Sequence, residues 1–273
     1  MANSDEVVEA TAYAKINWAL DVLHRRPDGY HEIASVMQRL ELADNLTFSP
    51  GGQGIRLTVT GPESEGVPSD SRNIVWRAAQ LLHAAHVDIT VDKRIPNQAG
   101  LGGGSSDAAT ALVALNKMLG RGLNLSELIH IGSKLGADVP FFLAQSTAKV
   151  SGFGEAVTVV PSPEPVDVVL IKPDVGVSTA DAYRALDNLP GRVSKKSAAL
   201  WPNASPSNDF EEVIYTLYPG VAVARDALIE AGASTTLLCG SGAAVMTWGA
   251  GCIKIYNNLF KAGNRKIWLT RTL

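Results

Sequence analysis

The segment Pro96 to Ser106 reads Pro-Asn-Gln-Ala-Gly-Leu-Gly-Gly-Gly-Ser-Ser, and Asp107 then opens a run rich in alanine and leucine through Leu119. Glycines reach positive φ cheaply and let the backbone approach an anion closely. The unpaired N–H groups at a helix start, aided by the helix dipole, then meet phosphate oxygens. Pro96, Gly100, Leu101, Gly102, Gly103 and Gly104 therefore form a candidate phosphate cradle leading into a helix from Asp107. Ser105 and Ser106 add hydroxyl donors, and Ser106 is a candidate ligand for a phosphate-bound magnesium. The bland alternative is a turn that only joins a strand to a helix. Three successive glycines cost more chain entropy than that task needs.

Two other phosphate motifs are excluded. No Lys-Ser or Lys-Thr follows the glycines, as a Walker A loop requires. A dinucleotide fingerprint needs a ribose-binding acid at the end of a strand about twenty residues on. Glu127 is near that distance but opens a helix, so a dehydrogenase is a weak reading.

Elsewhere, Lys15 and Asn17 are two apart in an extended segment and project from one face. Such a pair is either solvated or meets a ligand or partner. Gly136-Ala137-Asp138-Val139-Pro140-Phe141-Phe142 sets one carboxylate among apolar residues, where a cap, an ion pair and a catalytic base are all open. Asp28-Gly29-Tyr30-His31 offers an aromatic ring and an imidazole after a turn. His83, His86 and His130 fall in helical patterns without metal spacing.

The elements that must position these residues are mixed. Val7 to Val22, Ile33 to Thr47 and Ile55 to Val59 read as strands, with a turn at Pro27-Asp28-Gly29. Ile74, Ala78, Leu81 and Leu82 share a helical face, and Val87 to Ile95 alternates as a strand. Ser126 is a plausible N-cap for a helix over 127–135. Pro161-Ser-Pro-Glu-Pro165 is the best linker, which divides the chain into domains 1–160 and 161–273. Beyond it lie a strand (166–171), helices near 179–186, 209–218 and 221–231, a strand–Gly-Ser-Gly–strand unit over 234–248, and a closing helix and strand. The fold class is α+β.

A chain of 273 residues can bury a substantial core, and a net charge of −3 gives no basic field for nucleic acid or an anionic membrane. Neither a secretory signal nor an apolar run long enough to span a bilayer is visible, so a cytoplasmic protein is expected. Cys239 and Cys252 lack metal spacing and read as free or buried thiols.

Together these pieces resemble the GHMP kinase superfamily, on Pro96 to Ser106 and on the late turn Cys239-Gly240-Ser241-Gly242-Ala243. The resemblance is nearest to the branch that phosphorylates 4-diphosphocytidyl-2-C-methyl-D-erythritol in non-mevalonate isoprenoid biosynthesis. It rests on Ala14 to Asn17, Arg26 to His31, Gly136 to Phe142, and Pro173 with Val177-Ser178-Thr179 through Tyr183, in order along the chain. It implies two α+β domains, a ribosomal protein S5 domain 2-like first and a ferredoxin-like second, with ATP as co-substrate, magnesium, and a small-molecule acceptor carrying cytidine diphosphate. It further implies Asp138 as base with Lys15 beside it, Tyr30 and Tyr183 stacking on the base, and His31 reading its edge. Asn17 and Thr179 would be further substrate contacts, Gly240, Ser241 and Gly242 would border the acceptor-side phosphates, and Asn73 and Lys93 would fall near the adenine. A monomer or weak homodimer is expected. Asn97-Gln98-Ala99 is less glycine-rich than the family lead-in, and Phe153 stands where a basic or small residue is more usual. The rival readings are a homoserine- or mevalonate-type kinase, which shares the loop without needing the Tyr30 turn, and a non-catalytic nucleotide-binding module.

Overall fold

A strand rich in β-branched and apolar residues is stable only if both its faces are covered, and the first long apolar segment is of this kind. In the computed structural model, which describes residues 7–194, 196–264 and 266–273, Val8–Arg25 forms β1. It pairs along its length with β2 (His31–Pro50) in an antiparallel ladder from Val8 opposite Phe48 to Arg25 opposite His31. Next come β3 (Gly54–Thr60), α1 (Ile74–Leu81), β4 (His86–Asp92), α2 (Gly103–Met118), α3 (Leu125–Ser133), α4 (Val139–Ala144), β5 (Ala148–Gly152) and β6 (Ala156–Val159). One end of β2 pairs with β4 and the other with β5, so the sheet runs β3-β4-β2-β1 with β5 and β6 branching from β2. The small residues of α2 (Ala108, Ala109, Ala111, Ala114) let it lie close on this sheet in a core with Leu112, Leu115, Phe48 and Phe141.

After the proline-rich segment, which holds no helix or strand, the chain forms β7 (Asp167–Ile171), α5 (Thr179–Asp187), α6 (Ser197–Leu200), β8 (Ser207–Asn208), α7 (Glu211–Leu217), α8 (Pro219–Glu230), β9 (Leu237–Leu238), β10 (Val245–Trp248), α9 (Cys252–Lys261) and β11 (Ile267–Arg271). The second sheet has the order β11-β7-β10-β9, antiparallel throughout, which is the ferredoxin-like arrangement. The expected α+β class is thus observed.

The two sheets are not separate bodies. β8 leaves the second half to pair in parallel with β1, Ala19 opposite Ser207. A shared core joins Ile16 and Trp18 of β1 to Leu170 of β7 and Met246 of β10. Asp21, fully buried on β1, accepts from the N–H groups of Ser197 (3.1 Å) and Ala198 (2.8 Å) and from the Ser197 hydroxyl (2.9 Å), so it caps α6 across the junction.

Three local expectations change. Helix α2 begins at Gly103, not at Asp107, because Gly102 caps it in the left-handed region (φ +71). Tertiary packing overrides glycine's poor helix propensity here, since a Cβ on Gly103 would lie 3.0 Å from Ile95 and 3.3 Å from Lys93 Nζ. Helix α3 is capped by Asn124 rather than Ser126, in a reciprocal capping box with Glu127. His86 opens β4 instead of continuing a helical run, the chain having turned at His83 (φ +53).

Candidate active site

The bulge in β1 between Tyr13 and Lys15 and the buried wall around it dictate where the lysine can go. The Lys15 ammonium, 4% exposed, donates to Asn17 Oδ1 at 2.8 Å and lies 3.6 Å from Asp138 Oδ2. Asn17 donates onward to the Ser35 hydroxyl (2.8 Å), which donates to the Ala19 carbonyl (2.6 Å). Asp138 precedes α4, yet its side chain makes no cap hydrogen bond and remains 28% exposed. Of the roles open to it in the sequence, capping is therefore removed. An ion pair with one face open to the cleft remains.

The glycine segment packs directly against this pair. The Lys15 N–H donates to the Leu101 carbonyl at 2.9 Å. A Cβ on Gly102 would lie 3.0 Å from Lys15 Cγ and 2.9 Å from the Phe142 ring. Gly100 (φ +74) faces the second glycine turn, where its Cβ would fall 1.8 Å from the Cys239 carbonyl. The N–H groups of Ala243 and Ala244 donate to the carbonyls of Gln98 (3.1 Å) and Ala99 (3.2 Å), locking the two turns together. Asn208, the β8 residue opposite Leu20 of β1, donates to the carbonyls of Leu238 (2.8 Å) and Gly240 (2.7 Å). The Thr179 and Ser241 hydroxyls are 2.9 Å apart.

These parts border one cleft of about 1110 Å³. Its walls include Lys15, Asn17 and Asp138, the loop from Pro96 to Ser105, Tyr30 and His31, Thr179 and Tyr183, Gly240 and Ser241, and Asn73 and Lys93. Two expected residues are not on its wall. Ser106 is buried behind the first turn of α2, and Gly242 lies beneath the second turn against Val177. Ser105 is the hydroxyl that borders the cleft.

The aromatic residues are arranged differently from a simple pair. Tyr183 stacks on the His31 imidazole (centroids 4.5 Å, planes 17° apart) and meets Phe210 edge-on at 4.9 Å. Tyr30 instead packs on Phe153 at 5.1 Å. His31 Nε2 is 2.7 Å from Asp187 Oδ1. Burial raises the Tyr183 hydroxyl well above its usual range, and the Asp138 charge adds to this, so the phenol stays neutral. Asp187 was not anticipated, although Thr179, Tyr183 and Asp187 fall four apart on α5 and all line the cleft.

Beneath the glycine loop, Lys93 bridges Asp44 and Asp107 (2.7 Å to the latter). Asp44 also accepts from the N–H groups of Arg94 (2.5 Å) and Ile95 (2.8 Å), which pins the segment that leads from β4 to Pro96. Burial works against the Lys93 charge, but the two carboxylates outweigh it and raise its pKa. Burial pushes the Asp107 pKa up, the Lys93 ammonium pulls against it, and the Asp44 charge adds to the rise. Oδ1 of Asp107 has no hydrogen-bond partner. Neither carboxylate had a recognisable spacing in the sequence. The thiols are both free and buried, and burial pushes Cys239 up to about 12. No helix among the described residues is long and apolar enough to cross a membrane.

Residues 73–146 match the family described as GHMP kinases N terminal domain. The chain is 42% identical to the 4-diphosphocytidyl-2-C-methyl-D-erythritol kinase of Geobacter metallireducens, with 86% of each chain covered. It is 45% identical to the enzyme of the same name from Pelotomaculum thermopropionicum, with 88% of each covered. A crystal structure of a 4-(cytidine 5'-diphospho)-2C-methyl-D-erythritol kinase superposes with a TM-score of 0.77 at 32% identity, over 97% of this chain and 99% of that one. The mevalonate kinase of Methanococcus jannaschii has the same fold, with a TM-score of 0.69 at 12% identity and complete coverage of both chains. With a glycine cradle, a lysine–aspartate pair and an aromatic–histidine wall around one cleft, and with relatives alike over most of their length, this chain belongs to the 4-diphosphocytidyl-2-C-methyl-D-erythritol kinase family of GHMP kinases.

Proposed function

We propose that the chain transfers the γ-phosphoryl group of ATP to the 2-hydroxyl of 4-diphosphocytidyl-2-C-methyl-D-erythritol, a step of non-mevalonate isoprenoid precursor biosynthesis. The observation that carries this reading is the Lys15–Asp138 pair, 3.6 Å apart, on the cleft wall beside the glycine loop. Asp138 accepts the proton of the acceptor hydroxyl. Lys15, held by Asn17, sets its positive charge beside the alkoxide that develops on the acceptor. The loop from Gly100 to Gly104 and the start of α2 hold the ATP phosphates through backbone N–H groups, with the helix dipole adding to the attraction. Most of the rate comes from this positioning and charge neutralisation, as in phosphoryl transfer generally.

A magnesium ion accompanying ATP would take its hard oxygen ligands from the triphosphate and from the Ser105 hydroxyl or Asp138 carboxylate on the wall. There it would offset charge on the transferring phosphoryl group. The cytidine end of the acceptor meets Tyr30, Tyr183 and His31. The Asp187 carboxylate accepts from His31 Nε2, leaving the other ring nitrogen for the edge of the base. Residues 1–160 supply the ATP side and Asp138, and residues 161–273 bring Thr179, Tyr183 and the Gly240–Ser241 turn from the other side.

An ATP-coupled assay offering the cytidine diphosphate substrate, homoserine and mevalonate in parallel tests the reading. Turnover with the first alone is the expected result. Preference for either of the others would overturn the assignment of the acceptor.

A further inference from the structure

The turn Gly152-Phe153-Gly154-Glu155 joins β5 to β6 and takes no part in the chemistry above, yet Phe153 borders the cleft. The turn is tied to the one carrying Tyr30 by a chain of bonds. The Gly152 N–H donates to Glu32 Oε1 at 3.1 Å, and Gly152 pairs with Ile33 in the β2–β5 ladder. The Arg26 guanidinium donates to Glu32 Oε2 (2.9 Å) and to Asp28 (3.0 Å), and its carbon lies 5.7 Å from the centre of the Phe153 ring. Asp28 accepts from the Tyr30 N–H (3.1 Å), and the Tyr30 carbonyl accepts from the Arg26 N–H (2.7 Å). The Phe153 N–H is held in turn by Glu155 (2.7 Å).

Tyr30 is 60% exposed, and its ring contact is with Phe153, the planes tilted by 34°. An exposed ring at a turn tip loses rotamer freedom when a base stacks on it. A second ring already packed against it removes part of that cost before the ligand arrives. Every other bond of Tyr30 in this network is made by its backbone, so Phe153 is what holds the ring itself.

We propose that Phe153 is a positioning residue for the pyrimidine subsite, holding the Tyr30 ring in the orientation that stacks on the base, while the Arg26–Glu32 pair fixes the one turn to the other. The inference rests on the proposed function, in which Tyr30 meets the base. It assigns to this chain a determinant of nucleotide affinity at a position that acts on the ligand through another side chain.

Calorimetric titration of cytidine 5'-diphosphate into the whole chain tests it. Phe153→Leu keeps the apolar bulk and removes the ring, and is expected to weaken binding about twofold to tenfold, the range of one aromatic pair. Phe153→Tyr restores the affinity. In a Tyr30→Ala background Phe153→Leu has no further effect, because the group it acts through is gone. Wild-type affinity in Phe153→Leu, or an equal loss with and without Tyr30, overturns the inference while a chain that still phosphorylates the cytidine substrate leaves the proposed function standing. A wild-type chain that neither binds cytidine diphosphate nor turns over the substrate overturns both.

Discussion

The Lys15 and Asp138 side chains show how one residue type acquires a role from its neighbours. Asp138 precedes a six-residue helix, where a carboxylate ordinarily caps the first N–H groups, but it makes no such bond and stays open to the cleft. The ammonium 3.6 Å away is almost fully buried and has Asn17 as its hydrogen-bond partner. Replacing Asp138 by Asn keeps the shape and removes the proton acceptor. We expect kcat to fall by about 10²–10⁴, the usual value of general-base help, with ATP binding retained. Steady-state kinetics with a nucleotide-binding titration check this, and near-wild-type turnover would exclude Asp138 as the base. Asp44 and Asp107 make the contrasting case. Both share Lys93, and burial works against a negative charge on Asp107 beneath a loop built for phosphates.

Among the elements, the glycine loop and the second glycine turn have to be considered together. Gly100 adopts φ +74 with no room for a side chain, since the Cys239 carbonyl occupies that space. Gly100→Ala would meet overpacking, which costs about 1–3 kcal/mol, and a left-handed backbone, which adds roughly 1–2 kcal/mol. The turn at Gly240 must move in response, so both the ATP side and the acceptor side are expected to suffer. A lowered melting temperature together with raised KM values for both substrates is the expected outcome. A variant with unchanged melting and kinetics would show that the two turns do not depend on each other. The composition of the loop made its glycines conspicuous, whereas the need for Gly100 comes from a carbonyl 139 positions later in the chain.

For the whole molecule, the proline-rich segment 161–165 suggests a boundary, but the burial pattern crosses it. Trp18, Leu170 and Met246 share one core, β8 adds to the first sheet, and Asp21 caps α6 from β1. The expected consequence is a single cooperative unfolding transition in scanning calorimetry of the full chain, with Asp21→Ala lowering its midpoint by leaving buried N–H groups unpaired. Two resolved transitions in the wild-type chain would mean that the halves unfold independently. The sequence by itself determined the long strands, the amphipathic helices, the phosphate-type loop and the order of its motifs, because periodicity, turn residues and glycine runs are local properties. Only the tertiary structure decided that Tyr183 stacks on His31 while Tyr30 packs at a tilt on Phe153, and that Lys93 carries two carboxylates. Those pairings join residues far apart in the chain, and they depend on which faces the sheets bury against each other. Even the start of α2 belongs to this second class. Left to propensity, Gly103 and Gly104 would stay in the loop, but both are helical in the fold, where Gly103 packs closely on Ile95 and Lys93. The phosphate-binding loop met first in the sequence thus becomes, in the folded chain, partly the first turn of a helix.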